Sequence, residues 1–382
     1  MRLIIRPLDV LMFRDARPFA AGSDHRAKSV LPPPPQTVYG ALRTLLARNA
    51  GWRLGEALPT ALGDDDDPGV LTIAGPFLAS TESDNTVISR HPAPADAQLL
   101  RDTSSNVLTV VARPRHAPSW IKMDSSSECW TAQKDDREVV EDGAEWLKLP
   151  ELVSYLVDGK VSLPTDQPRH GYGFGLADAE SRTGIYVDRS LHSAAEGMLY
   201  VTEFSRLHAD ARIVVDVTWN SRHPFEGRPV LALGGESRLA EVESISEDPD
   251  WGLPRIMQSL TGDRSMRVYF LTPLPLTEMT SAWTTGGKVQ LSGRVATVKR
   301  TFAPPPIRVG GFIAAQRRPR PSRLYLPAGS IVDLELDSPI SKDLVSTLHG
   351  QAILPGDSPD ARLGYGRVLL GKLYEKGALD DQ

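Results

Sequence analysis

In the stretch LIIRPLDVLMFRDARPF, Leu3 to Phe19, apolar side chains fall on both alternating faces as far as Phe13, and Arg14, Asp15 and Arg17 then follow. Leu8, Val10 and Met12 lie on one face, Leu11 and Phe13 on the other, which is the pattern of a strand covered on both sides in mid-sheet. Such a strand delivers guanidiniums into the loop that follows it. AAGSDHRAKSV extends that loop with His25, Arg26 and Lys28 before LPPPPQT stiffens the chain. After the prolines, Thr37 is the expected N-cap of a helix whose stripe is Val38, Leu42, Leu45 and Leu46, closed by Gly51. The first unit therefore reads strand, cationic loop, helix.

Working outward, LTIAGPFLAS is a second strand and NVLTVVARP a third. Leu149, Leu152, Val153 and Leu156 recur at helical spacing, with Pro150 in the first turn and Gly159 at the end. The order β-α-β-β-α opens a ferredoxin-like unit. GIYVDRSLHSAAEGMLYVTEFSRL reads as a hairpin turning near Gly197. Strands at ARIVVDVTW, RPVLALGG, RVYFLTPLPL, KVQLSGRVATV, RLYLPAGSIVDLEL and ARLGYGRVLLGKLYE, with helices at PRIMQSLTG and SKDLVSTLHG, make a second mixed unit. The expected division is residues 1–208 and 209–382.

The 382 residues are 41% hydrophobic and 24% charged, ordinary for a soluble globular chain. No apolar run is long enough for a membrane span, so no membrane partner and a cytoplasmic place are expected. Cys129 is the single cysteine, and the eight histidines form no H-x-x-x-H or H-E-x-x-H pair, so neither disulfides, a metal nor another cofactor is expected. Asp64–Asp67 and the acidic run Glu241–Asp250 read as solvated loops.

Net charge is −5, yet no acidic residue falls between Glu278 and Asp333. That gap holds Arg294, Lys299, Arg300, Arg308, Arg317, Arg318, Arg320 and Arg323, interleaved with Phe302, Phe312 and the pair Gly310–Gly311, in a proline-rich stretch expected to be an extended loop. Arginine grips phosphate with two parallel donors and stacks on unpaired bases, which suits single-stranded RNA. A solvated loop, or a loop docked on an acidic protein, fits the same composition. The glycine clusters GYGFG (Gly171, Gly173, Gly175) and GYGRVLLG (Gly364, Gly366, Gly371) lack the G-x-G-x-x-G spacing of a dinucleotide site. They read as tight turns, or as a cradle of N–H groups for an RNA phosphate.

PLDVLMFRDARPF, the G-x-D-H at Gly22–His25, PPPPQTVYGALR, GPFL at Gly75–Leu78, HPAPAD, EGMLYVTEF, LGGESR and LPAGSIVDLEL followed by LGYGRVLLG resemble, in the same order, the third subunit of the Cmr complex. That is a RAMP-superfamily family of type III-B CRISPR effectors. The resemblance implies an α+β fold of two ferredoxin-like (RRM-like) domains with long inserted loops and a β-hairpin. It implies a non-catalytic subunit in antiviral defence that holds the 5′ handle of the CRISPR RNA and joins the large polymerase-like subunit to the backbone subunits, meeting target RNA indirectly. Position by position it assigns RNA contact to Arg14, Arg17, His25, Arg26 and Lys28. Gly364, Gly366 and the adjoining Arg367 match a glycine-rich loop, and Gly310–Gly311 with its basic flanks matches another family block. No aromatic RNP signature is present, so phosphate contacts are expected to supply most of the affinity. The alternative is a RAMP-type, metal-independent endoribonuclease processing precursor CRISPR RNA with a base such as His25. A mainly protein–protein adaptor is a third reading. The insert Pro114–Glu145 matches no motif.

Overall fold

A computed structural model of the chain describes residues 1–14, 26–64, 67–101, 108–112, 138–139, 146–163, 176–188, 193–221, 223–245, 250–277, 280–283, 286–313 and 318–374. The elements used below are, in chain order, β1 (Arg2–Pro7), α1 (Pro35–Asn49), β2 (Thr72–Thr81), β3 (Val87–Pro92), β4 (Trp146–Lys148), α2 (Leu149–Asp158), β5 (Ala177–Asp188) and β6 (Ser193–Leu207). Then come β7 (Ala211–Thr218), β8 (Val230–Ala232), β9 (Leu239–Ile245), α3 (Leu253–Leu260), β10 (Ser265–Phe270), β11 (Lys288–Leu291) and β12 (Arg294–Phe302). The chain continues through β13 (Ile307–Ile313), β14 (Arg318–Leu326), β15 (Ile331–Leu336), α4 (Lys342–Leu348) and β16 (Val368–Gly371).

The fold is mixed α and β with mostly antiparallel sheets. Seven strands form the first sheet in the order β8-β9-β1-β7-β2-β3-β4. Residues 211–245, which the sequence reading gives to the second unit, are hydrogen-bonded into this sheet: Leu3 of β1 faces Val215 on one side and Ser244 on the other. The expected third strand, Leu108–Ala112, belongs instead to a separate four-stranded sheet with 97–101, 138–139 and 160–163. The reason lies in the length of the detour. Between β2 and β7 stand residues 82–210, which add β3 and β4 to the edge of the first sheet, and β7 then pairs with both β1 and β2.

Both faces of this sheet are covered. Leu3 and Ile5 of β1 and Ile213 and Val215 of β7 pack against Val38, Leu42 and Leu46 of α1, while Ile4 and Val214 face a second core shared with α2 and β10. Each such side chain contributes roughly 1.5–3 kcal/mol on burial. The two-sided apolar pattern is therefore correct, but the strand is shorter than expected. It ends at Pro7, which has no N–H for the ladder, and the chain bends at Leu8–Asp9, where the Asp9 carboxylate lies 3.2 Å from Arg206 and 3.0 Å from Arg238. Beyond the bend, Leu11 exchanges two 2.8 Å hydrogen bonds with Ser205 of β6.

The helix α1 begins at Pro35, with Pro34 in the N-cap position, so Thr37 is internal rather than capping. Proline at the first helical position has no N–H, so one of the first turn's four unpartnered donors is absent, and no side chain caps the others. α2 has the expected bounds, and Glu151 accepts from Lys148 N at 2.8 Å. The hairpin β5–β6 pairs Ile185 with Leu199, and Gly197 lies within β6, not at the turn.

The second sheet runs β11-β12-β15-β10-β16. α4 packs beside it with Ser341 as a working N-cap, its Oγ accepting from Leu344 N at 3.2 Å. The proline-rich basic stretch is not the expected loop: β13 and β14 pair as a hairpin and join Leu274–Pro275 in a three-stranded sheet. Leu274–Pro275 pairs only with Leu326 and Tyr325, so at Pro319 and Pro321 β14 has β13 alone as neighbour and proline is tolerated as on an edge. Among the described residues no helix is long and apolar enough to cross a membrane, and no group of His, Cys, Asp and Glu has metal-binding geometry. GYGFG, Cys129, Asp65–Asp66 and nearly all of the Pro114–Glu145 insert lie outside the described residues. Asp64 and Asp67 are exposed, as the solvated-loop reading expects, and are also tied to the body: Arg43 donates to the Asp64 carbonyl, and Arg362 lies 2.9 Å from the Asp67 carboxylate. The run Glu241–Asp250 is likewise engaged where described, with Glu241 on Arg6 and Glu243 on Arg228.

Candidate nucleic-acid interface

A cleft of about 410 Å³ opens where the first sheet, the β5–β6 hairpin and the β13–β14 hairpin meet. Its walls are largely apolar, with Pro32–Pro35 on one side and Phe77 and Phe204 among the others. Arg14, Arg90 and Arg308 bring cationic groups to it, opposed by Asp178 and Glu203.

The bend after β1 explains how Arg14 arrives. Once Leu11 is pinned to Ser205, Val30 N donates to Phe13 O at 2.9 Å and Phe13 N donates to Ser29 Oγ at 3.1 Å. Arg14 is thereby held opposite Ser29 at the cleft, and its side chain is exposed. The apolar segment holds a cation in place, which accounts for an arginine at the end of a buried run. Lys28 is exposed on the neighbouring segment, and Arg26 pairs with Val201 through its backbone.

Arg308 arrives on the opposite wall. The register sets Arg308 opposite Leu324, Gly311 opposite Arg320 and Ile313 opposite Arg318; it shifts between Val309 and Gly311, so Arg318 and Arg320 share one face beyond the irregularity and Arg308 lies on the near side of it. Phe312, 65% exposed, pairs with Pro319 on the other face. Gln36, in the first turn of α1, donates through Nε2 to the Gly310 carbonyl and ties the hairpin to the first unit. A Cβ on Gly311 would sit 2.9 Å from that Nε2, so the missing side chain lets the two surfaces close. Arg323, outside the expected set, is fixed by Asp360 at 3.2 Å.

The other expected residues divide. Arg294 donates to Pro339 O at 2.7 Å and to Ser341 Oγ at 3.2 Å, Lys299 lies 2.6 Å from Glu335, and Arg300 lies 3.8 Å from Asp333. These three serve the second unit's own structure. Gly364 and Gly366 turn toward neighbouring chain, and Arg367 donates to the Gly350 carbonyl at 2.9 Å, away from the cleft. Arg17, His25 and Arg317 lie outside the described residues.

Sequence reasoning missed Gln36, Arg90 and His91. The alternation in VISRHP would have flagged β3, with Arg90 held by Ser80 Oγ at 3.0 Å. His91 is fully buried at the cleft floor beside Phe77, with ring centroids 5.0 Å apart, and its Nε2 is 3.0 Å from Ser89 Oγ. Burial, with help from the Arg2 charge, pulls its pKa from 6.5 to about 3. Below the ordinary value the unfolded chain takes up a proton that the folded chain refuses. The stability contributed by neutral His91 is therefore intact above pH 6.5 and is lost toward pH 3. Denaturant unfolding at pH 7 and pH 5 is expected to show about 2 kcal/mol of acid-side loss that His91→Gln lacks. Equal pH slopes in the two proteins would remove His91 as the cause.

Comparison with solved structures finds chains of CRISPR effector complexes. A chain of the type III-B Cmr-beta complex, solved by cryo-EM with cognate target RNA and AMPPnP, is 16% identical, with 97% of this chain and 99% of that chain covered and a TM-score of 0.51. A chain of Cmr-beta with cognate target RNA is 17% identical over 87% and 86% of the two chains, TM-score 0.48, and one from a Csm3–Csm4 subcomplex of type III-A is 11% identical over 90% and 95%, TM-score 0.40. The first of these supports a common fold. No curated protein matches the sequence significantly. A family profile decides more than any single likeness: residues 3–373 match the one described as CRISPR-associated protein (Cas_Cmr3), from the opening strand past the last one, and the chain belongs to that family.

Proposed function

We propose that this chain is a non-catalytic, cytoplasmic RNA-binding subunit of a type III-B CRISPR effector, the third subunit of the Cmr complex, and that it holds the 5′ handle of the CRISPR RNA at the Arg14–Arg308 cleft. It joins the large polymerase-like subunit to the backbone subunits. The observation that carries the reading is the convergence of Arg14 and Arg308, from opposite ends of the sequence, on one cleft with the Gly310 segment. Solved complexes of similar fold contain RNA. Both main sheets also support a pair of ferredoxin-like units. In the first, β9-β1-β7-β2 places the fourth, first, third and second strands of a unit in that order, and β16-β10-β15-β12 does so in the second. Among the described residues each unit lacks one of its two helices, with a short turn at His223–Phe225 in its place in the first.

Phosphate contacts dominate such an interface, so the salt dependence is its signature. Replacing Arg14 and Arg308 together by alanine is expected to weaken binding of handle-bearing RNA by about tenfold per arginine. The log–log salt slope should become shallower by about 1.4 for two lost phosphate contacts on a single strand. An unchanged slope would remove the cleft from the RNA path. Site-specific cutting of repeat RNA, abolished by a change at His25, would replace the non-catalytic reading with an endoribonuclease.

A further inference from the structure

Arg267 and Arg367 both have guanidinium nitrogens withdrawn from water, and the two are treated in opposite ways. Arg267 lies between two carboxylates, Asp96 at 2.8 Å and Asp333 at 3.2 Å. Arg367 is not matched in this way. Its Nη1 donates to Gly350 O at 2.9 Å, its Nη2 reaches Ile73 O at 3.5 Å, and its buried Nε has no hydrogen-bond partner among the described residues. Burial lowers its pKa, and the carboxylate whose charge opposes this, Asp216, is itself held by Arg2 at 2.8 Å. A guanidinium withdrawn from water without a matched counter-charge is destabilising, and an arriving anion relieves it.

There is room for one. Arg367 lines a pocket of about 480 Å³ with Arg362, Thr72, Ser346, Thr347 and Gln351, and no carboxylate lines it. Arg362 is fixed there by Asp67 and by the Gly69 carbonyl, each at 2.9 Å. The Ser346 and Thr347 hydroxyls already donate to Asp343 O, which leaves the two guanidiniums and the Gln351 amide as donors. We propose that this pocket is a seat for a phosphate group, from either a free nucleotide or an RNA backbone. Two guanidiniums with neutral donors suit a tetrahedral dianion. The pocket shares no lining residue with the Arg14–Arg308 cleft, so the two readings stand or fall separately.

The test is thermal unfolding and calorimetric titration of the full chain with inorganic phosphate, 5′-AMP or a short single-stranded RNA, each against sodium chloride at equal ionic strength. Phosphate and at least one of the other two should raise the melting temperature above the chloride control. Arg367→Met should abolish the rise and weaken phosphate binding at least tenfold. Without phosphate that variant should be no less stable than the parent, because an uncompensated cation has been removed. A response to RNA that survives loss of Arg14 and Arg308 but not of Arg367 identifies the backbone as the source, and a response to AMP alone identifies a free nucleotide. No rise in the parent, an undiminished rise in the variant, or a variant destabilised without phosphate would each overturn the assignment.

Discussion

Arg267→Met is expected to lower the unfolding free energy by about 3–5 kcal/mol, the scale for removing one partner from a buried ion pair. Arg267 and Asp333 are wholly buried on neighbouring strands β10 and β15, and Asp96 reaches them from the turn after β3. Tyr155 of α2 donates its hydroxyl to Asp96 Oδ1 at 2.9 Å. Burial by itself would drive the guanidinium to release its proton, but Asp96 and Asp333 outweigh it and raise its pKa. Methionine fills similar volume and leaves both carboxylates in the interior. Arg300, 3.8 Å from Asp333, offsets part of one charge only.

The pH dependence identifies the cause. Carboxylates left without their cation favour protonation in the fold, so their folded pKa rises above the unfolded value of about 3.9. The deficit of the variant relative to the parent should then shrink as pH falls from 7 toward 4, and taking the difference at each pH cancels the His91 contribution. Adding Asp96→Asn and Asp333→Asn should recover part of the loss at pH 7. A deficit that is absent, or that is unchanged in acid, would mean these charges do not depend on one another.

Local patterns in the sequence were enough for α2 and for the helix in SKDLVSTLHG, because helical spacing acts within a few positions, whereas KVQLSGRVATV, read as one strand, is the β11–β12 hairpin. The two-sided burial of β1 was legible for the same reason. Its end was not, since Pro7 and the distant partners Arg206 and Arg238 bend the chain at Asp9. Strand partnership was the larger loss: nothing near Leu108 says that it pairs with Leu163, while β7 returns after the long detour to join β1. Composition located the basic segment but not which cations face outward. Lys299 meets Glu335 only because β12 and β15 are adjacent, whereas Arg318 and Arg320 share a face because of a hairpin register that the prolines concealed.

Gly364→Ala is expected to cost about 2–5 kcal/mol, combining roughly 1–2 for a left-handed backbone with about 1–3 for overpacking. Gly364 has φ +96°, and a Cβ there would lie 2.6 Å from the Gly75 carbonyl and 3.1 Å from Ile73 Cγ1. Gly75 and Ile73 belong to β2, and Ile73 and Ala74 beside Gly75 are paired to Val217 and Asp216 of β7, so the obstructing atom is backbone of the sheet rather than the end of a flexible side chain. The glycine thus lets a turn of the second unit lie directly on the first sheet. Gly366 provides the internal comparison: its φ is +69°, but its Cβ would meet Leu354 and Leu274 side chains at 3.1–3.3 Å, which can shift. Gly366→Ala should therefore cost less, about 1–2 kcal/mol, chiefly from the backbone. Denaturant midpoints of the two variants separate packing from ligand approach. If these glycines instead make room for a nucleotide, both variants should lose RNA affinity with midpoints unchanged, and the ordering of stabilities derived from Gly75 and Leu354 would fail.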